Sequence, residues 1–88
     1  MSSYEIVLSA AFQRQIKRLV RKNPGFREKI TKTLKVLAQN INHPSLKLHK
    51  LSGENNWSVS VTNDIRIIIH FSQGKVFCVR IGTHDEVY

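Results

Sequence analysis

Two hydrophobic periods divide the chain. Phe12, Ile16, Leu19 and Val20, and then Phe26, Ile30, Leu34, Leu37 and Ile41, recur every three or four residues. That spacing lines up one face of an α-helix. From Trp57 onward the period is two: Trp57, Val59 and Val61 alternate with Ser58, Ser60 and Thr62, as in a half-buried strand. Residues 4–8 read as a first strand, and Ser9 is placed to cap the helix after it. Asn23-Pro24-Gly25 ends that helix, with Asn23 as a cap for a second helix over about 25–40. Two amphipathic helices joined this closely form an antiparallel hairpin, which His43-Pro44 closes. Residues 45–55 read as a loop with a turn at Gly53. Asn63-Asp64 suits a tight hairpin turn, 65–71 the next strand, 72–75 a turn and 76–81 the last strand. The predicted architecture is α+β in the order β-α-α-β-β-β. It is a helix hairpin packed on a four-stranded, mostly antiparallel sheet, in one domain spanning 1–88.

Strict alternation through the last two strands predicts two unlike sheet faces. Ile65, Ile67, Ile69 and Phe71, with Phe77, Val79 and Ile81, form an apolar set that should pack on the helices. Arg66, Ile68 and His70, with Val76, Cys78 and Arg80, fall on the other face, joined by Ser58 and Ser60. An open antiparallel face carrying Arg and His is a common place for a binding site.

Charge sharpens this picture. The 88 residues hold fourteen Lys and Arg against six Asp and Glu, a net +8. Residues 1–50 carry net +9 and residues 51–88 net −1. A solvated helix surface is the plain explanation, but a field of one sign in one half also concentrates polyanions. The expected partner is RNA.

Other chemistries find little support. Cys78 is the sole cysteine, so no internal disulfide forms and a reducing, cytoplasmic setting fits. Mid-strand among apolar residues, it reads as an inert thiol rather than a nucleophile. The four histidines, His43, His49, His70 and His84, lack a recognisable ligand spacing, so no metal or other cofactor is expected. No Gly-rich phosphate loop occurs. Apolar runs are strand-length, which predicts no membrane span. The first residues lack the pattern of a signal peptide.

What remains is Arg66, His49, His84, Asp64, Tyr88 and the basic surface. Arg66 follows a hairpin turn on the less apolar face. It reads either as a solvated edge arginine or as a clamp for phosphate oxygens. Three segments then carry a resemblance: Leu48-His49-Lys50-Leu51-Ser52-Gly53, Asn63-Asp64-Ile65-Arg66-Ile67-Ile68 and Ile81-Gly82-Thr83-His84-Asp85-Glu86-Val87-Tyr88. In this order, after a basic helix pair, they resemble the RelE/ParE superfamily of bacterial toxin–antitoxin toxins over nearly the whole chain. The nearest branches are RelE and YafQ, which cut messenger RNA on the ribosome.

The resemblance implies roles. His49 matches a loop histidine and Asp64 a turn aspartate of the YafQ branch; Asp64 reads equally well as a plain turn residue. Arg66 matches the strand arginine used on the scissile phosphate, His84 a C-terminal histidine, and Tyr88 the terminal aromatic. Lys47, Lys50, Trp57 and Arg80 are the expected RNA contacts beside this set. The implied partners are mRNA, the ribosome and an acidic antitoxin, in a toxin–antitoxin hetero-oligomer. The chain also departs from the pattern. Ser58 and Ser60 stand where RelE has a lysine pair, Ile65 replaces an aromatic, and no additional C-terminal helix is expected.

The implied chemistry is self-consistent. RNA brings its own nucleophile, the 2′-OH, so a metal-free nuclease needs a proton acceptor, a proton donor and a cation. His84 is acid or base, His49 or Asp64 its counterpart, Arg66 the charge stabiliser, and Tyr88 stacks on a base or assists proton transfer. Three rivals stand beside this reading: a ParE-like DNA gyrase inhibitor, a non-catalytic nucleic-acid-binding module, and a degenerate toxin. The first two give the histidines and Tyr88 no work; the third follows from the missing lysines.

Overall fold

The computed structural model describes residues 4–52 and 55–87, excluding the side chains of His84 and Glu86. The chain runs β1 (Glu5–Leu8), α1 (Ala10–Lys22), α2 (Phe26–Gln39), a 3-10 turn (Pro44–Leu46), β2 (His49–Lys50), β3 (Asn56–Ser60), β4 (Ile65–Ser72), β5 (Lys75–Thr83) and α3 (His84–Val87). The helix boundaries follow from local chemistry. Ser9 Oγ accepts from the Phe12 amide at 3.0 Å and caps α1, satisfying one of the amides a helix start leaves open. Asn23 makes an Asx turn, its Oδ1 accepting from Gly25 at 3.1 Å. Gly25, not Asn23, is therefore the cap position of α2.

The sheet is mixed, not four-stranded, and runs in the order β1-β5-β4-β3-β2. β1 pairs parallel with β5, and the other three pairings are antiparallel. The strand absent from the sequence reading is β2, two residues inside the stretch read as loop. Two residues are too few to display a period. The same limit hid α3, a single helical turn where no helix was expected. Gly53 lies outside the described residues. The β4–β5 hairpin closes through Gln73 and Gly74, with φ of 53° and 76°, the left-handed pair that matches strand twist in a two-residue turn.

Along β5 the simple alternation fails. Ile68 pairs with Arg80 and Ile69 with Cys78, so Val79 is an extra residue with no partner on β4. A bulge of this kind inverts the inside–outside parity of everything beyond it. Before the bulge Val76 and Cys78 face the helices, both fully buried; after it Ile81 does, at 3% exposure. Val79 is 37% exposed. The assignment of Phe77 and Val79 to the core, and of Val76 and Cys78 to the open face, is therefore corrected. Both versions place three apolar residues inward, so hydrophobicity alone did not distinguish them.

The core lies between sheet and helices. Phe12, Ile30 and Leu37 from the helices meet Val59, Ile65, Ile67, Ile69, Val76, Cys78 and Ile81, each large side chain contributing roughly 1.5–3 kcal/mol on burial. Two buried apolar residues stand outside this cluster, Ile68 and Val87. Ile68 points away from the helices, and α3 packs on β4 and β5. Where β1 stops, the edge of β5 is closed by α1: Gln15 Oε1 accepts from the Ile81 amide at 2.8 Å.

The bulge makes a test possible. Cys78→Ser puts a hydroxyl into the core and should cost about 1–3 kcal/mol, whereas Val79→Ser should change stability by less than about 0.5 kcal/mol. Urea unfolding of the two variants measures this; the reverse order would mean the register runs without the bulge.

Candidate active site

Pairing register places the open-face residues in rows across the strands. One row is Asn56–His70–Phe77–Val7. The next is His49–Ser58–Ile68–Arg80, and the third Ser60–Arg66–Gly82. Arg66, His49 and Arg80 thus share a face opposite the helix hairpin, as strand parity requires.

Arg66 is held rather than solvated. Its Nε and Nη2 donate to Ser58 Oγ at 3.1 and 3.0 Å, and Nη2 also donates to the Lys47 carbonyl at 3.3 Å. Ser58 is fully buried, so the anchoring hydroxyl sits on the floor of the face. Lys47 adopts a left-handed conformation, φ 46° and ψ 51°, as it leaves the 3-10 turn, a state that costs a non-glycine residue of order 1 kcal/mol. His43 starts that turn, its Nδ1 accepting from the Ser45 amide at 3.1 Å. With one edge of the guanidinium tied down, its Nη1 amino group makes no bond among the described residues. A planar donor fixed on one side and open on the other suits a phosphate oxygen.

The other predicted residues fall in three places. His49, exposed on β2, is paired with Ser58, the residue that anchors Arg66. His84 opens α3 directly after Thr83, which pairs with Ile65 beside Arg66; its backbone reaches the Arg66 end of the sheet, while its side chain lies outside the described atoms. Tyr88 lies outside the described residues. Asp64 is exposed in the β3–β4 turn, where Thr62 Oγ1 accepts from the amides of Asp64 and Ile65 at 3.2 and 3.0 Å. It borders a groove of about 610 Å³ whose other walls include Arg18, Lys22 and Lys29, so it faces the helix layer.

Of the predicted RNA contacts, Lys47 adjoins Arg66 and Arg80 shares its face, but Lys50 and Trp57 do not. Those two pair with each other and then with Ile69, on the helix side. Trp57 packs on the core, edge to face with Phe71 at 6.2 Å, with Lys50 Nζ 5.7 Å from its ring centre. Sequence reasoning missed the use of Ser58. It placed Ser58 on the Arg66 face and noted it as a replacement for lysine, but did not assign it to holding Arg66.

The helix layer carries most of the positive field: α1 and α2 hold nine Lys and Arg and one acid, Glu28. Among the described residues, no three of His, Cys, Asp and Glu converge as a metal set, and no helix is long and apolar enough to cross a membrane.

With this geometry the chain can be compared with known proteins. No family model matches it, and no curated protein matches it by sequence. Solved structures do match. A chain of the E. coli DinJ–YafQ toxin–antitoxin complex superposes with a TM-score of 0.80 at 21% identity, covering 98% of both chains. YafQ from E. coli strain BL21(DE3) gives 0.80 at 20% identity, over 97% of this chain and 98% of that one. The chain has the fold of the RelE/YafQ-like toxins. A YoeB/ParE toxin from Agrobacterium tumefaciens gives 0.78 at 17% identity, over 91% of this chain and 98% of that one. The RelE-like fold is thus reached with about four in five residues changed. What is kept is the fold itself.

Cys78 takes no part in this site. Burial pushes its thiol up from 9.0 to about 12, so it remains protonated and unreactive at neutral pH. A thiol reagent at pH 8 should label the folded protein slowly and the urea-unfolded protein within minutes. Because the folded thiol titrates above the unfolded one, the associated stability is complete below about pH 9 and should fall as pH rises from 9 towards 12. Denaturation midpoints for the parent and Cys78→Ala across that range measure the effect; equal slopes would contradict it.

Proposed function

We propose that this chain is the toxin of a toxin–antitoxin pair and a metal-independent endoribonuclease that cuts messenger RNA on the ribosome in the cytoplasm. The observation that carries this reading is Arg66, tied to Ser58 and the Lys47 carbonyl and presenting its free edge beside His49. α3 brings the backbone of His84 to the same end of the sheet.

In the proposed reaction, one imidazole takes the proton of the substrate 2′-OH as its oxygen forms a bond to the adjacent phosphorus. The bond from phosphorus to the 5′-oxygen breaks, and a second group protonates the leaving oxygen. Arg66 neutralises the charge that builds on the non-bridging oxygens. The products are a 2′,3′-cyclic phosphate and a 5′-hydroxyl. Imidazole suits both proton transfers because it titrates near neutrality. His84 takes one role and His49 the other. Asp64, turned towards the helix layer, is the weaker candidate for His84's counterpart. Tyr88 stacks on a neighbouring base or aids proton transfer.

The basic helices supply a second kind of contact. Nine cations on the layer opposite Arg66 favour a structured polyanion, which supports ribosomal RNA as the platform that brings mRNA to the open face. The same charge supports an acidic antitoxin that folds on contact. DinJ and YafQ form a toxin–antitoxin complex. The anchored arginine favours this reading over a gyrase inhibitor or a passive binding module, since neither needs a guanidinium fixed on one edge.

Primer extension on mRNA, with and without ribosomes, tests the proposal. Arg66→Ala should cut cleavage by about 10²–10³ with association nearly unchanged, and His84→Ala by roughly 10²–10⁴. Folded variants that cleave like the parent would overturn it. Lys32→Ala should mainly weaken ribosome association and flatten its salt dependence, since each phosphate neutralised releases counterion. An affinity unchanged between about 50 and 300 mM salt would remove the electrostatic account. Cleavage of substrate already bound should continue in EDTA, because the 2′-OH needs no metal-generated nucleophile.

A further inference from the structure

Beyond the phosphate position, we infer that the open face holds a nucleobase subsite on the row Asn56–His70–Phe77. It would receive a base of the RNA strand whose phosphate lies on Arg66, and it therefore rests on the nuclease reading.

Phe77 is the first reason. Tyr4, Phe12, Phe26, Trp57 and Phe71 all belong to the core or pack against it, and Phe77 does not. The bulge at Val79 turns it outward, half-buried, with no aromatic partner among the described residues. An accessible phenyl ring on a face that binds RNA is a stacking platform, and stacking tolerates any base.

His70 is the second. It is Phe77's cross-strand partner on β4, and Asn56 flanks it on β3. The His70 ring is set by a 3.0 Å bond between its Nδ1 and Asn56 Oδ1. An amide oxygen only accepts, so Nδ1 is the donor in this bond, and in the neutral ring Nε2 then keeps its lone pair. A lone pair beside a stacking ring accepts from a base amino group. Adenine, cytosine and guanine offer one on the Watson–Crick edge, whereas uracil offers only its N3–H between two carbonyls and is disfavoured.

Position and charge make the row continuous with Arg66. His70 is four residues further along β4, about 13 Å at strand rise, a distance an extended single strand covers in about two nucleotides. Buried Ile68 floors the interval. Arg80 lies on one side of the row, and Lys75, paired with Glu5 at 3.7 Å, on the other. Cation, aromatic, cation is the sequence of contacts that a single strand's phosphates and bases require.

The test uses a labelled single-stranded RNA, 2′-O-methylated to block cleavage, followed by fluorescence anisotropy, together with cleavage-site mapping on unmodified mRNA. Phe77→Ala should weaken RNA binding roughly ten-fold, the scale of one lost stacking contact, and Phe77→Trp should restore it, which a merely misfolded protein would not do. His70→Ala should lose discrimination against uracil at one position about two nucleotides from the cut. If the parent cleaves while Phe77→Ala binds normally and His70→Ala keeps the parental pattern, the subsite is wrong and the nuclease reading stands. If the parent never cleaves, the nuclease reading fails. The anisotropy arm still decides the subsite, since unchanged binding by Phe77→Ala overturns it and a ten-fold loss rescued by Phe77→Trp supports it.

Discussion

The extra residue at Val79 governs the distribution of side chains across this fold. With Val79 unpaired, Cys78 and Val76 enter the core behind it and Ile81 enters ahead of it, while Phe77 is turned outward and Arg80 stays on the open face. Pairing Val79 in unbroken alternation, without the bulge, would send either Arg80 or Phe77 into the helices' territory. Inverting alternation at one point lets one strand serve two needs. Its first half sits between β1 and β4, and its second half leads to α3 beside Arg66.

The separation of faces that follows gives the molecule its division of labour. The helix hairpin covers one side of the sheet and carries nine cations, a diffuse field suited to a large polyanion. The other side has few cations but holds them in defined geometry. Arg66 is fixed on Ser58 and on the carbonyl of Lys47, and a guanidinium fixed before substrate arrives need not be ordered during reaction. Serine at position 58 fits this arrangement. A lysine there would repel Arg66, whereas a buried hydroxyl accepts two of its donors.

Low identity with conserved geometry follows from the same physics. Packing a helix hairpin on a sheet asks only for apolar residues of suitable size at alternating and helical positions, which many sequences meet. The superposition at about 20% identity over nearly the full chain is the result. The proposed chemistry rests on the few polar positions of the open face, so likeness of fold and likeness of chemistry are separate questions.

By itself the sequence determined the two helices, three of the five strands with nearly correct bounds, the first short strand, and the order in which they occur. Each is a local property, since periods of 3.6 and two, a serine cap and a Gln-Gly turn act within a few residues. It also determined that Arg66 and Ser58 share a face, because the β3–β4 pairing is regular throughout. Tertiary structure decided the rest. The parallel placement of β1 beside β5 joins segments about seventy residues apart, and no local pattern records it. The two residues of β2 are a strand only because β3 supplies partners. The bulge exists because β4 imposes a register that β5 meets with one residue too many, and two equally apolar assignments of β5 looked alike until that register was set. Pairing likewise set Lys50 beside Trp57 on the helix side, which strand parity had already fixed for Trp57, and Asp64 borders the basic helices. A turn's direction belongs to the elements it joins, not to its residues.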